Sequence, residues 1–175
     1  LYKGADLAIG DEVTVSGTIS SYNKGFQIAA STATVEKTGT TTVTYPTPME
    51  ITGALADELL TTRVNDQYAY YAKMTGTVSI NGNYYNVAVD GAATAVGSIQ
   101  YPQDAIKANL TSGSVVKVTG YTIGVSSSKY VNTMAVKVET VGEPEAPAET
   151  EEYTVTEALA AYDDGKQIPA IVTGY

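Results

Sequence analysis

The 175-residue chain has no Cys, no His and no Trp, and only one Phe. Without Cys it forms no disulfide, no zinc–thiolate site and no thiol nucleophile. Without His it lacks the commonest general base and the commonest transition-metal ligand. Ser126, Ser127 and Ser128 therefore have no imidazole to activate them. No phosphate-cradling glycine loop ending in Lys-Ser or Lys-Thr occurs. No apolar run is long enough to span a bilayer, so no membrane insertion is expected within these residues. Positive charge is scarce: ten Lys and Arg stand against nineteen Asp and Glu, for a net charge of -9. That field repels phosphate backbones and disfavours general nucleic-acid affinity. The acidic pairs Asp11-Glu12 and Asp163-Asp164 read as solvated turns. No catalytic constellation is left, and the expectation is a non-enzyme with no cofactor and no metal.

Tyr is abundant, with 14 residues. Strands rich in Tyr, Thr, Ser and Gly suit an exported protein, so the expected location is extracytoplasmic. The chain opens Leu1-Tyr2-Lys3, with neither an initiator Met nor a signal peptide. That is the expectation for a fragment of a longer protein.

The chain also matches itself at a shift of 103 residues. Leu7, Gly10, Val13, Val15 and Gly17 fall on Leu110, Gly113, Val116, Val118 and Gly120 without a gap. Val35, Glu36 and Gly39 fall on Val138, Glu139 and Gly142. A second match, at a shift of 104, carries Thr52, Ala54, Leu55 and Ala56 onto Thr156, Ala158, Leu159 and Ala160. A period this long is a domain repeat. It predicts the C-terminal part of one unit over 1–40, a complete unit over 50–142, a Pro/Glu-rich linker over 143–152 and the N-terminal part of a further unit over 153–175.

Strand patterning dominates the complete unit. Over 73–80, Met74, Gly76, Val78 and Ile80 share one face. Asn81-Gly82 signals a hairpin, read as a type I′ turn. The return strand over 84–90 places Tyr85, Val87 and Val89 inward. A third strand is expected near 94–99, a helical stretch over 103–110, a fourth strand over 114–123 and a fifth over 129–140, with a loop at 124–128. A helix over 52–60 precedes the first strand. Its counterpart opens with a capping box of Thr154 and Glu157 and closes at Gly165. Five strands with a helix between the third and fourth give an all-β fold with short helices. Its order is that of the OB-like five-stranded Greek-key barrel, here tandemly repeated. Another small β-barrel or sandwich has the same strand count.

Residues 153–175, with Thr173-Gly174-Tyr175 ending a first strand, resemble the start of OB-fold-like domains in exported, lipoprotein-like proteins of Bacteroidetes. Residues 10–17 resemble the fourth strand of the same domains, and residues 113–120 depart from that pattern in having Ser114 in place of Asp. The resemblance implies a family largely of unknown function, often labelled nucleic-acid-binding from fold alone, an inference by analogy.

OB-like barrels take ligands across the outer face of strands two and three, beside the one-to-two and four-to-five loops. Alternation puts Tyr84, Asn86 and Tyr121 outward, with Lys129 at the four-to-five loop. These four are the candidate ligand-binding residues. Such a tyrosine platform stacks a base or a sugar ring; it is equally a solvated β-face packed across strands. Tyr68 and Tyr70 read as core or inter-domain packing. The expected role is a binding, interaction or spacer module. Its partner is a glycan, a protein or attached domains of the same chain, and single-stranded nucleic acid is the alternative.

Overall fold

The computed structural model describes residues 6–62, 69–142, 151–154 and 170–173, the last two stretches by backbone alone. The chain forms two compact units, Leu1–Pro144 and Glu145–Tyr175.

The first unit holds a closed barrel. Its strands are β6 (Tyr70–Asn81), β7 (Tyr84–Val89), β8 (Val96–Ile99), β9 (Val115–Ser126) and β10 (Tyr130–Gly142). Neighbours run β6-β7-β8-β10-β9, and β9 pairs back onto β6 to close the ring. All pairings are antiparallel except β8 with β10, which run parallel. This is the strand order of an OB-like barrel. The inward alternation holds: Met74, Val78, Val87, Val89, Val116 and Val118 are all buried. Gly76 and Gly120 sit where a Cβ would collide with the carbonyls of Ala88 and Met134, so two strands approach closely there.

Helix α1 (Gly53–Thr62) caps the barrel core with Ala56, Leu59 and Leu60. The hydroxyl of Thr52 accepts the N–H of Leu55 at 3.3 Å, an N-cap contact. Ahead of it, β5 (Met49–Glu50) pairs parallel with β6. The carboxylate of Asp57 accepts the N–H groups of Ala93, Thr94 and Ala95 at 2.7–2.9 Å. These bonds tie the helix to the β7–β8 loop and hold the Asp57 carboxyl below the usual carboxylate range.

Element ends differ from the sequence reading by up to three residues, β6 starting at Tyr70 and β10 running to Gly142, and four differences bear on the architecture. The third strand starts at Val96, because Asp57 has taken the amides just before it. The helical stretch after it is a single turn, α2 (Asp104–Lys107). In the β6–β7 turn only Gly82 has a positive φ, +58°, and Asn81 pairs with Tyr84. The central residues are thus Gly82 and Asn83, the type II′ pattern rather than I′. Gly124 belongs to β9, since its missing side chain leaves room for the carbonyl of Asn23.

That carbonyl belongs to a second hairpin, built from β1 (Asp11–Ser16), β2 (Ile19–Tyr22), β3 (Gly25–Ile28) and β4 (Thr34–Thr40). Its tip docks on the barrel. Asn23 O accepts the Val125 N–H at 2.6 Å, and Lys24 Nζ donates to Leu60 O at 3.2 Å. Its base follows the register of β9–β10. Glu12, Val13, Thr14 and Val15 pair with Gly39, Lys37, Glu36 and Val35. Val115, Val116, Lys117 and Val118 pair with Gly142, Thr140, Glu139 and Val138. Every pair coincides at the 103-residue shift, and so does the bulge, at Thr38 and at Val141. The turns leading in also coincide. Gly10 and Gly113 have φ of +100° and +87°, and in each turn an N–H–to–carbonyl bond of 3.1 Å closes across three residues, Asp11 to Ala8 and Ser114 to Thr111. The Ala8 N–H, and after it Lys37 at 2.7 Å, hold the Asp11 carboxyl below the usual carboxylate range. Asp11 and Glu12 lie in β1 and the Asp11 side chain is 7% exposed, so this pair is strand rather than a solvated turn.

In the second unit, β11 (Glu151–Thr154) pairs parallel with β12 (Ala170–Thr173). Glu151 and Glu152 are therefore strand rather than linker. Asp163, Asp164 and most of the expected capping box and helix, Glu157 and Gly165 included, lie outside the described residues, as does Tyr68.

Candidate functional site

Alternation along β7 turns Tyr84 and Asn86 away from the core, beside β8 and the β9–β10 tip. The result is a cleft of about 350 Å³ on the outer face of the barrel. Tyr84 and Tyr130 form its aromatic walls; Asn81, Asn86 and Gln100 bring amides; Ser98, Ser126 and Ser127 bring hydroxyls. Asn81 comes from the β6–β7 turn, Ser126 and Ser127 from the β9–β10 tip. These elements correspond to the ligand face of OB-folds.

Behind the lining residues Gln100, Ser98 and Ser126 lies a polar network around Asn132, which is only 3% exposed and lines a neighbouring hollow rather than this cleft. Its Oδ1 accepts from Ser126 Oγ at 3.1 Å and from Gln100 Nε2 at 3.3 Å. Gln100 Nε2 also donates to Ser98 Oγ at 2.9 Å. A buried amide network is costly unless satisfied, and once satisfied it fixes side-chain directions. Here it holds Gln100, Ser98 and Ser126 in place at the cleft surface. The tip itself is tightly wound, with Ser127 and Ser128 at φ of +51° and +49°.

The four expected ligand residues do not all meet. Tyr84 and Asn86 line the cleft, and Tyr84 is 72% exposed. Lys129 stands at the rim, its Nζ 5.7 Å from the centre of the Tyr130 ring, within cation–π range. Tyr121 lies elsewhere on the barrel. It packs on its cross-strand partner Tyr71 with ring centres 5.0 Å apart, and Tyr71 stacks on Tyr45 at 5.3 Å. That ladder fastens the segment before β5 to the barrel, so at Tyr121 the packing alternative describes the contact. Ser98, Gln100, Ser126, Tyr130 and Asn132 were not among the expected site residues. Tyr130 and Ser126 had one available signal, their place at the four-to-five loop.

The Asp57 carboxylate lies near a second hollow lined also by Lys24 and Thr94. Its two oxygens are engaged by three backbone amides, which makes it an anchor rather than a base. Among the described residues no helix is long and apolar enough to cross a membrane.

Fold and cleft together define an OB-like five-stranded barrel with an aromatic-walled, amide-lined cleft on its outer face. No protein-family model, curated protein or solved structure matches the chain.

Proposed function

We propose that this chain is a non-enzymatic binding module of an exported or surface-anchored bacterial protein, assembled from OB-like units in tandem, and that its cleft takes a neutral polar ligand, a glycan. One observation carries the ligand class: none of the eight side chains lining the cleft is charged. Tyrosine faces, amides and hydroxyls are the groups that stack on a sugar ring and bond its hydroxyls. A phosphate backbone finds one Lys at the rim and a net charge of -9 around it.

The test is a titration of the 175-residue chain with neutral oligosaccharides and with oligo-dT, at low and high salt, followed by backbone amide shifts. A fitting oligosaccharide moves Tyr84, Gln100 and Tyr130, does so equally at both salts, and loses about tenfold in affinity, ~1.4 kcal/mol, in Tyr84→Ala. The exposed Tyr84 beside Lys129 favours one second reading, single-stranded nucleic acid stacked on the tyrosine. Micromolar oligo-dT binding that weakens with salt and disappears in Tyr84→Ala replaces the glycan reading with that one.

A further inference from the structure

The base of the first hairpin, β1 against β4, repeats the base of β9–β10 in register, bulge and lead-in turn. The tip does not, Ile19 pairing with Ile28 but Thr122 with Thr133. Yet the core-type residues of that base are bare. Leu7, Val13 and Val15 are 41%, 38% and 43% exposed; their counterparts Leu110, Val116 and Val118 are 6%, 0% and 1% exposed. Each pair is the same residue type, and Val35 likewise matches the buried Val138. Burying a valine is worth about 1.5–3 kcal/mol, so a strand pair that presents this row to water forgoes a large stabilisation. Phe26 and Ile28 extend the apolar surface toward the tip, where they line an open hollow with Ile19.

The edges identify what fits. In the barrel, β9 gives its outer edge to β6 and β10 gives its outer edge to β8. In the first hairpin, β1 and β4 pair only with each other among the described residues. Whatever covers the valine face must therefore also supply a strand to each of two edges. A single added strand satisfies one edge; a meander that starts beside β1 and ends beside β4 satisfies both and crosses the face between them. In this chain β6-β7-β8 does that for β9–β10, laying Met74, Val87 and Ile99 over the valines.

We propose that the first hairpin is the closing hairpin of a second OB-like barrel, and that its apolar face and two free edges dock a three-stranded meander of the β6-β7-β8 type. The proposal rests on the tandem-unit part of the proposed function; ligand binding at the Tyr84 cleft is read separately, so either can fail without the other.

The test supplies the meander. At the 103-residue shift Leu1 aligns with Asp104, so a second copy of residues 49–103 is fused ahead of Leu1 of the full chain. Hydrogen exchange is followed by mass spectrometry over peptides covering 11–16 and 34–40. The expected result is at least a hundredfold slower exchange there than in the unfused chain, with 115–142 unchanged. Val15→Asp in the fused chain removes that gain. The proposal is overturned if peptides 11–16 and 34–40 exchange as in the unfused chain, or if the added segment exchanges as unfolded polypeptide. It is equally overturned if the unfused chain sediments as a dimer that Val15→Asp returns to monomer, because the face is then a contact between copies.

Discussion

Two hairpins in one molecule share at their base a register, a bulge and a row of valines, and differ in what lies against them. Around β9–β10 the valines touch a complete core, and the strands lend both edges to neighbours. Around β1–β4 the same residues face outward, and the hairpin holds to the barrel chiefly by its tip. The local sequence thus suffices for the strand pairing, the bulge and the glycine turn. Burial is a property of the surroundings, and it decides how much each position contributes to stability.

The sharpest way to break this comparison is to place the same charge at matched positions. Val118→Asp buries a carboxylate without a partner and costs more than about 4 kcal/mol, enough to prevent the barrel from folding. Val15→Asp in the 175-residue chain changes stability by about 0.5 kcal/mol or less, because that site is open to water. Lys117→Asp sets like charges across the strands at Glu139 and costs about 1 kcal/mol at most. Thermal melts by circular dichroism rank the three. Equal melting of Val118→Asp and Lys117→Asp would contradict the assigned strand phase.

A second, smaller effect concerns Asp57. Asp57→Ala leaves three backbone amides without their acceptor and lowers Tm at neutral pH. The sign with pH follows from the lowered folded-state pKa. The ionised carboxylate contributes its full stability above the ordinary value of 3.8 and loses it as pH falls through the folded value. The gap in Tm between wild type and Asp57→Ala is therefore widest near neutral pH and closes in strong acid. A gap independent of pH would assign the loss to packing alone.

Gly25→Ala acts on the docked tip. A Cβ at Gly25 collides with the carbonyl of Ile123, so the hairpin lifts off. Exchange of the Val125 amide, bonded to Asn23, accelerates while the barrel Tm stays within a few degrees. Smallest of all is Lys37→Ala, which takes the half-exposed ammonium from the mostly buried Asp11 carboxylate. The Ala8 N–H still holds that carboxylate, so Tm falls by a few degrees at most.

The barrel was legible because its core strands alternate cleanly. Met74 to Val78 and Tyr85 to Val89 declare their inner face, and five strands with an intervening turn of helix define the order. The cleft was half legible. Tyr84 and Asn86 follow from alternation on β7. On β8, Gly97, Ser98 and Ile99 are all buried, so neither face stands out and Ser98 and Gln100 are hidden. On β10, Val131, Asn132 and Thr133 are all buried, so no face stands out and Asn132 is hidden as well. Tyr121 shows a different limit. Outward in a closed barrel names every direction around the ring, and alternation cannot tell the β6–β9 side from the β7–β8 side. The positive-φ tip at Ser127-Ser128 had no glycine to announce it.

Residue-resolved hydrogen exchange on the unfused 175-residue chain compares the two hairpins most directly. In the barrel, the Val116 and Val118 amides should exchange only through global unfolding, with free energies equal to the barrel's stability and the denaturant dependence of full exposure. The Val13 and Val15 amides should exchange through local opening, at least a hundredfold faster and with little denaturant dependence. Equal protection and equal denaturant slopes at the four valines would contradict the claim that one hairpin is covered and the other is not.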